Sequence, residues 1–181
     1  HSTGHRFLNP KTFTFDSLKS YLEQSKRFFL MVDPDIRKQK IIEQIQQLAK
    51  EVGGFVKEDP DLLEEVTYLV EYPIALRCDF ESKYLDLPGE LLVITMKHHQ
   101  RYFPLSKPDG SLLPHFITII NIKAENPSEI KRGNERVLRA RLEDARFFFE
   151  EDRKKKLDSY IEPLRGVVFQ KNLGTLHDKV S

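Results

Sequence analysis

"RYFPLSKPDGSLLPHFITIINI", residues 101–122, decides the fold. Two β-rich arms flank the turn sequence Lys107-Pro108-Asp109-Gly110, so the segment reads as a hairpin. A hairpin pairs its strands antiparallel, which argues against a purely parallel, doubly wound sheet. Upstream, Pro88 sits at a helix start and "GELLVITMKHHQ" continues it, bringing Lys97, His98 and His99 to the C-terminal end, where cations suit the helix dipole. Before that helix, "PIALRCDF" reads as a strand around Cys78. Asp59-Pro60 opens a helix carrying Leu62, Leu63, Val66, Leu69 and Val70 until Tyr72-Pro73, and "GFV" before it is a short strand. Asp33-Pro34 opens another, whose apolar stripe of Ile41, Ile42, Ile45, Leu48, Ala49 and Val52 ends at Gly53-Gly54. "RFFLMV" reads as a buried strand, Asp16 as the cap of a helix to about Gln24, and "KTFTF" as a first strand. Downstream, the chain is expected to be helical from Pro127, with breaks near Gly133, Lys156 and Gly166. The expected class is α+β (mixed α/β): a sheet with hairpin-connected strands packed by helices, and a helical C-terminal third.

Composition narrows the function classes. The 181 residues hold 29 basic and 28 acidic side chains, a net charge of +1, so attraction to a polyanion must come from local patches. A 39% hydrophobic and 31% charged make-up is that of a folded chain rather than a disordered one. Cys78 is the single cysteine, so no internal disulfide forms, and its apolar setting predicts a buried structural thiol. Apolar runs such as "FITII" are far too short to cross a bilayer and no signal-peptide pattern is present, so no membrane role and a cytoplasmic location are expected. The first residue is His and the last stretch stops amid helix-like sequence, which suggests a piece of a longer polypeptide.

Two constellations carry charge chemistry. In "RGNERVLRARLEDARFFFEEDRK", residues 132–154, a helical projection of residues 134–153 puts Val137, Leu138, Leu142, Ala145, Phe148 and Phe149 on one face. Arg139, Arg146 and Arg153 line the opposite side, with Arg136 close by. Glu135, Glu143 and Glu150 stand four residues from these arginines, so the comb is either a phosphate-reading surface or a solvated face of mutually neutralised charges. Residues 131–156 hold ten basic against six acidic side chains, an excess that local pairs do not absorb. Phe147 points into the polar face, where it either stacks on a base or docks beneath "LDSYIEPL", and Arg141 lies at the edge of the apolar face. The second constellation is "MKHHQRYF", residues 96–103, at a helix-to-strand junction. Adjacent histidines on a helix diverge by about 100°, and neither carboxylate nor cysteine lies nearby, so His98 and His99 are not metal ligands. Contact with RNA phosphate or a partner domain suits the cluster better, with a structural role as the alternative. No phosphate loop, cysteine–histidine spacing or activated nucleophile is present, so neither metal ligands nor catalytic residues are expected. His177-Asp178 is similar to the dipeptide of HD phosphohydrolases but lacks the other histidines of that site.

The strings "LPGELLVITMKHHQRYFPL", "LLPHFITIINI", "RGNERVLRARLEDARFFFEEDRKKKLDSYIEPL" and "VVFQKNLGTLHDKV", with "GHRF" near the start, strongly resemble the bacterial glycyl-tRNA synthetase beta subunit, almost end to end. The resemblance implies a part in ATP-dependent attachment of glycine to its tRNA. In that family a separate alpha subunit holds the class II site for ATP, Mg and glycine, so no cofactor is expected in this segment. The beta subunit serves tRNA binding and assembly, and the implied partners are the alpha subunit and glycine tRNA in an alpha2beta2 enzyme. Residues 1–156 would correspond to a module similar to B3/B4 of phenylalanyl-tRNA synthetase beta chains. Residues 157–181 would be a linker and the start of a helical HD-like domain, where the family often has an aromatic in place of His177. Lys97, His98, His99, Arg101, Arg132, Arg136, Arg139 and Arg146 are the expected RNA-binding candidates. The alternative is a purely structural module that orients other domains and the alpha subunit. A B3/B4-type editing site is chemically less needed, because larger amino acids are excluded sterically by a glycine site.

Overall fold

The computed structural model describes residues 1–180. They form two compact units, His1–Leu142 and the described residues from Glu143 onward. In the first, β1 (Ser2–Thr3) pairs antiparallel with β2 (Thr12–Phe13). The tight approach there explains "GHRF": a Cβ on Gly4 would lie 2.3 Å from the Asn9 carbonyl oxygen, and fully buried His5 closes the following turn by accepting the Phe7 and Leu8 amides at Nδ1, 3.2 Å each.

Helix α1 (Leu18–Arg27) is capped by Ser17, whose hydroxyl accepts the Ser20 amide; Asp16, expected in that role, instead accepts the Ser17 hydroxyl proton. Its end corrects a second expectation. "RFFLMV" is not a strand: Phe28 caps α1, Phe29 adopts φ +59°, and residues 30–33 carry no regular structure. Arg37 takes the place of a strand partner, donating to the carbonyls of Met31 and Val32 that a ladder would otherwise serve, and its Nε ties the segment to the Thr67 carbonyl.

Helices α2 (Pro34–Lys50) and α3 (Pro60–Leu69) start as the Asp-Pro pairs predict: Asp33 accepts the Asp35 amide at 2.9 Å and Asp59 the Leu62 amide at 3.1 Å. Gly53, at φ +65°, turns the chain out of α2. Strand β3 (Ile74–Asp79) then leads through a short helical turn, Ser82–Asp86, to α4 (Gly89–Gln100), which Arg101 ends in the left-handed conformation. Strands β4 (Phe103–Ser106) and β5 (Leu112–Ile120) are the hairpin, its turn closed by Gly110 N–H to Lys107 O at 2.8 Å and by Asp109 accepting from Ser111. The sheet order is β3-β5-β4, antiparallel throughout, with Cys78 and Pro104 opposite Phe116 on either side. "GFV" contributes one bridge, Phe55 to Ser106, rather than a strand.

The pleat divides the core. Ile117, Ala75, Phe103 and Leu105 pack with Ile41, Ile45 and Ala49 of α2 and Leu62 and Val66 of α3. Phe116 points the other way and stacks on Tyr102 at 4.5 Å, and the Tyr102 hydroxyl donates to Asn134 at 2.7 Å on helix α5 (Pro127–Asp152). Cys78 is fully buried beside this layer, and burial pushes its thiol up to about 12, which makes it inert.

Helix α5 runs through Gly133 without the expected break. The division between the two units falls after Leu142, inside this helix. The second unit also differs from a wholly helical end. Short helical turns, Leu157–Tyr160 and Glu162–Gly166, lead to a hairpin of β6 (Val168–Gln170) and β7 (Gly174–Thr175), followed by α6 (Leu176–Val180). Asp178 accepts the Thr175 amide at 2.8 Å and its hydroxyl at 2.8 Å, so its role in "LHDK" is to fix the start of α6.

Candidate nucleic-acid interface

Helix α5 is oriented by its buried side. In the first unit Leu138 and Leu142 are fully buried, while Val137, placed on the same face by the projection of residues 134–153, is exposed; in the second unit Phe147 and Phe148 are exposed. Lys131, Asn134 and Glu135 face the sheet. Lys131 Nζ reaches Asp79 Oδ2 at 2.6 Å, Glu135 Oε1 accepts the Asp79 amide at 2.9 Å, and His115 Nδ1 lies 2.7 Å from Asp79 Oδ1. This network at the end of β3 was not foreseen, because it exists only once the β3–β5 register sets Asp79 opposite His115.

Burial pushes the Asp79 carboxyl up, but the hydrogen bonds from Lys131 and His115 and their charges outweigh it and hold it below its ordinary value. The hydrogen bond to Asp79 likewise raises Lys131, against the opposing effect of burial. A carboxyl with a depressed folded-state pKa contributes stability that is complete above its unfolded pKa of about 3.9 and lost as pH falls through the folded value. Thermal melting from pH 7 downward should therefore show a decline beginning near pH 4 that is shallower in Asp79→Asn, with a lower melting temperature for that variant at pH 7. Identical slopes for the two proteins would refute this assignment.

With that face occupied, Arg132 and Arg136 stand about 160° around the helix from Asn134 and point outward. Both are exposed, and neither makes an ion pair among the described residues. One turn apart, their Cβ atoms are about 6 Å from each other. Arg139 turns to the same side but leaves the helix: its Nε lies 3.0 Å from Glu81 Oε1, in the segment after β3. The expected partners on α5 itself are thus not used, and Glu135 is committed to Lys131 and Asp79. Arg146, in the second unit, pairs with Glu143 at 2.6 Å and reaches Glu150 at 3.9 Å.

The other constellation is largely internal. Lys97 is ion-paired to Asp59, the cap of α3, and Arg101 Nε bonds Glu65 Oε1 at 2.7 Å. Burial pushes Asp59 up, but hydrogen bonds from Lys97 and the Leu62 amide, with the charges of Lys97 and His98, outweigh it and keep the carboxyl low. These pairs clamp the end of α4 to α3. His98 and His99 remain exposed beside them. Lys97 also borders a cavity of about 660 Å³ between α4 and residues 56–60, lined by Glu58, Glu90, Ile94 and Pro104. Of the eight residues picked from the sequence, Lys97, Arg101, Arg139 and Arg146 hold carboxylates, His98 and His99 are exposed beside the Lys97–Asp59 pair, and Arg132 and Arg136 are exposed with no ion pair among the described residues. Among the described residues there is no cluster of three or more His, Cys, Asp or Glu placed to hold a metal, and no helix is long and apolar enough to cross a membrane.

The family pattern of the glycyl-tRNA synthetase beta subunit matches residues 1–181. The glycine–tRNA ligase beta subunit of Syntrophus aciditrophicus (strain SB) is 50% identical over 179 residues, 99% of this chain and 26% of that protein. That of Clostridioides difficile (strain 630) is 49% identical over 176 residues, 97% of this chain and 25% of its own length. The chain thus spans about a quarter of the length of the curated relatives it matches. An outward arginine pair on a carboxylate-anchored helix therefore sits within a chain that belongs to the glycyl-tRNA synthetase beta subunit family.

Proposed function

We propose that this chain acts in ATP-dependent charging of glycine tRNA as a tRNA-contacting and assembly surface of the beta subunit, not as the seat of catalysis. The observation that carries the reading is the unpaired Arg132–Arg136 face of α5 in a chain of this family. Two guanidiniums one turn apart suit successive backbone phosphates, and contacts of that kind position an RNA without reading its sequence. His98 and His99 are secondary candidates. Residues 1–156 act as the B3/B4-like module, and residues 157 onward open the HD-like domain. ATP, Mg and glycine are held by the alpha subunit, in an alpha2beta2 enzyme of the cytoplasm.

The scaffold reading is favoured by a different set of side chains. Lys97, Arg101 and Arg139 each tie one segment to another through a carboxylate, so these three serve internal order first. Glycine-dependent ATP–pyrophosphate exchange tests the division of labour. The 181-residue chain without alpha subunit is expected to give no exchange above the enzyme-free rate, and exchange at a rate comparable to the complete enzyme would overturn it.

A further inference from the structure

Glu81 lies exposed in the segment that follows β3 and holds two cations from different parts of the chain. Its Oε1 is 3.0 Å from Arg139 Nε on α5, and its Oε2 is 3.0 Å from Lys83 Nζ. Lys83 also stands over the ring of Tyr84, 4.9 Å from its centroid. Arg139 belongs to the same outward side of α5 as Arg132 and Arg136. A two-oxygen anion gripped by a guanidinium and an ammonium, beside a further arginine pair, has the recognition geometry of a backbone phosphate. The side chains of Arg139 and Glu81 are 59% and 45% exposed, so solvent screens the pair and exchanging one anion for another costs little.

We propose that Glu81 occupies a phosphate position on the RNA-binding face of α5, and that an RNA phosphate displaces it from Arg139 and Lys83. The inference rests on the reading of that face as a tRNA surface. Glu81 then sets a threshold on this surface: every RNA must displace it, so a polyanion with few other contacts stays unbound at concentrations where one that also engages Arg132 and Arg136 binds. If Glu81 served only to tie residues 80–86 to α5, its loss would lower stability and leave RNA affinity alone.

The experiment measures binding of a glycine tRNA transcript and of an unrelated tRNA of equal length to the complete enzyme, carrying Glu81→Gln, Arg139→Gln, both together, or Arg132→Glu with Arg136→Glu. Glu81→Gln is expected to raise affinity about threefold to tenfold for both RNAs alike. Arg139→Gln should abolish that gain when combined with it. Unchanged or reduced affinity in Glu81→Gln, together with weakened binding in the Arg132/Arg136 variant, overturns the role of Glu81 while the tRNA surface stands. Unchanged affinity in the Arg132/Arg136 variant overturns the surface itself, and the Glu81 inference with it. Melting curves on each variant identify any loss of affinity that comes from unfolding.

Discussion

Phe116→Ala should destabilise the first unit by about 3–5 kcal/mol, the range for removing a buried aromatic from a core that collapses only partially around the gap. Phe116 is fully buried in the middle of the central strand, between Cys78 and Pro104 on its neighbours. Its ring stacks on Tyr102 at 4.5 Å, an aromatic pair worth about 0.5–1.5 kcal/mol beyond burial, and Tyr102 in turn holds Asn134 of α5. The loss therefore reaches from the sheet to the helix that carries the arginines. Urea unfolding followed by the near-ultraviolet tyrosine signal reads both effects at once. Phe116→Leu, which fills most of the space, should cost no more than about 1.5 kcal/mol. A loss below about 1 kcal/mol for Phe116→Ala would mean that this layer is not a packed core.

The hairpin was legible because its determinants are local: the turn sequence, alternation in the second arm and the proline positions all lie within residues 101–122. The Asp33-Pro34 and Asp59-Pro60 helix starts were legible for the same reason, since a cap acts on amides two or three residues away. The misreadings came where a distant group settled the local question. "RFFLMV" has strand composition, but Arg37 satisfies the carbonyls that a neighbouring strand would have bonded, and the chain passes by as a tether. Gly133 is a helix breaker by propensity alone; at a cost of about 1 kcal/mol relative to alanine, it is tolerated in a helix anchored by Leu138, Leu142 and the Asp79 contacts.

The site was half legible. Sequence spacing located the arginine-rich face, and Arg132 and Arg136 do point outward. It misassigned their neighbour, because pairing four residues along a helix yields only a few tenths of a kcal/mol and gives way to any better-placed carboxylate. Arg139 found one in Glu81, fifty-eight positions earlier in the chain, and the adjacent Glu135 was drawn inward to Lys131 and the Asp79 amide. Neither partnership has a signature in spacing, since both depend on where β3 ends against α5.

Reversing Arg132 and Arg136 together should weaken glycine tRNA binding by at least about tenfold, the largest functional effect expected of any surface change in the chain. On the proposed reading each substitution turns a phosphate contact into a repulsion, and each lost contact removes the release of counterions that drives association. Two lost contacts should shrink the slope of log affinity against log salt by roughly 1.5 units. The melting temperature should hardly move, because both side chains are exposed and make no ion pair among the described residues. Arg146→Glu is the contrasting change: it breaks the pair with Glu143 and sets three acids on one helical turn, so its main effect is expected on stability.

The account turns on one titration, glycine tRNA binding to the complete enzyme carrying Arg132→Glu and Arg136→Glu, repeated over a range of salt concentrations. It predicts weakened binding and a flattened salt dependence with intact folding, and unchanged affinity and slope would contradict it.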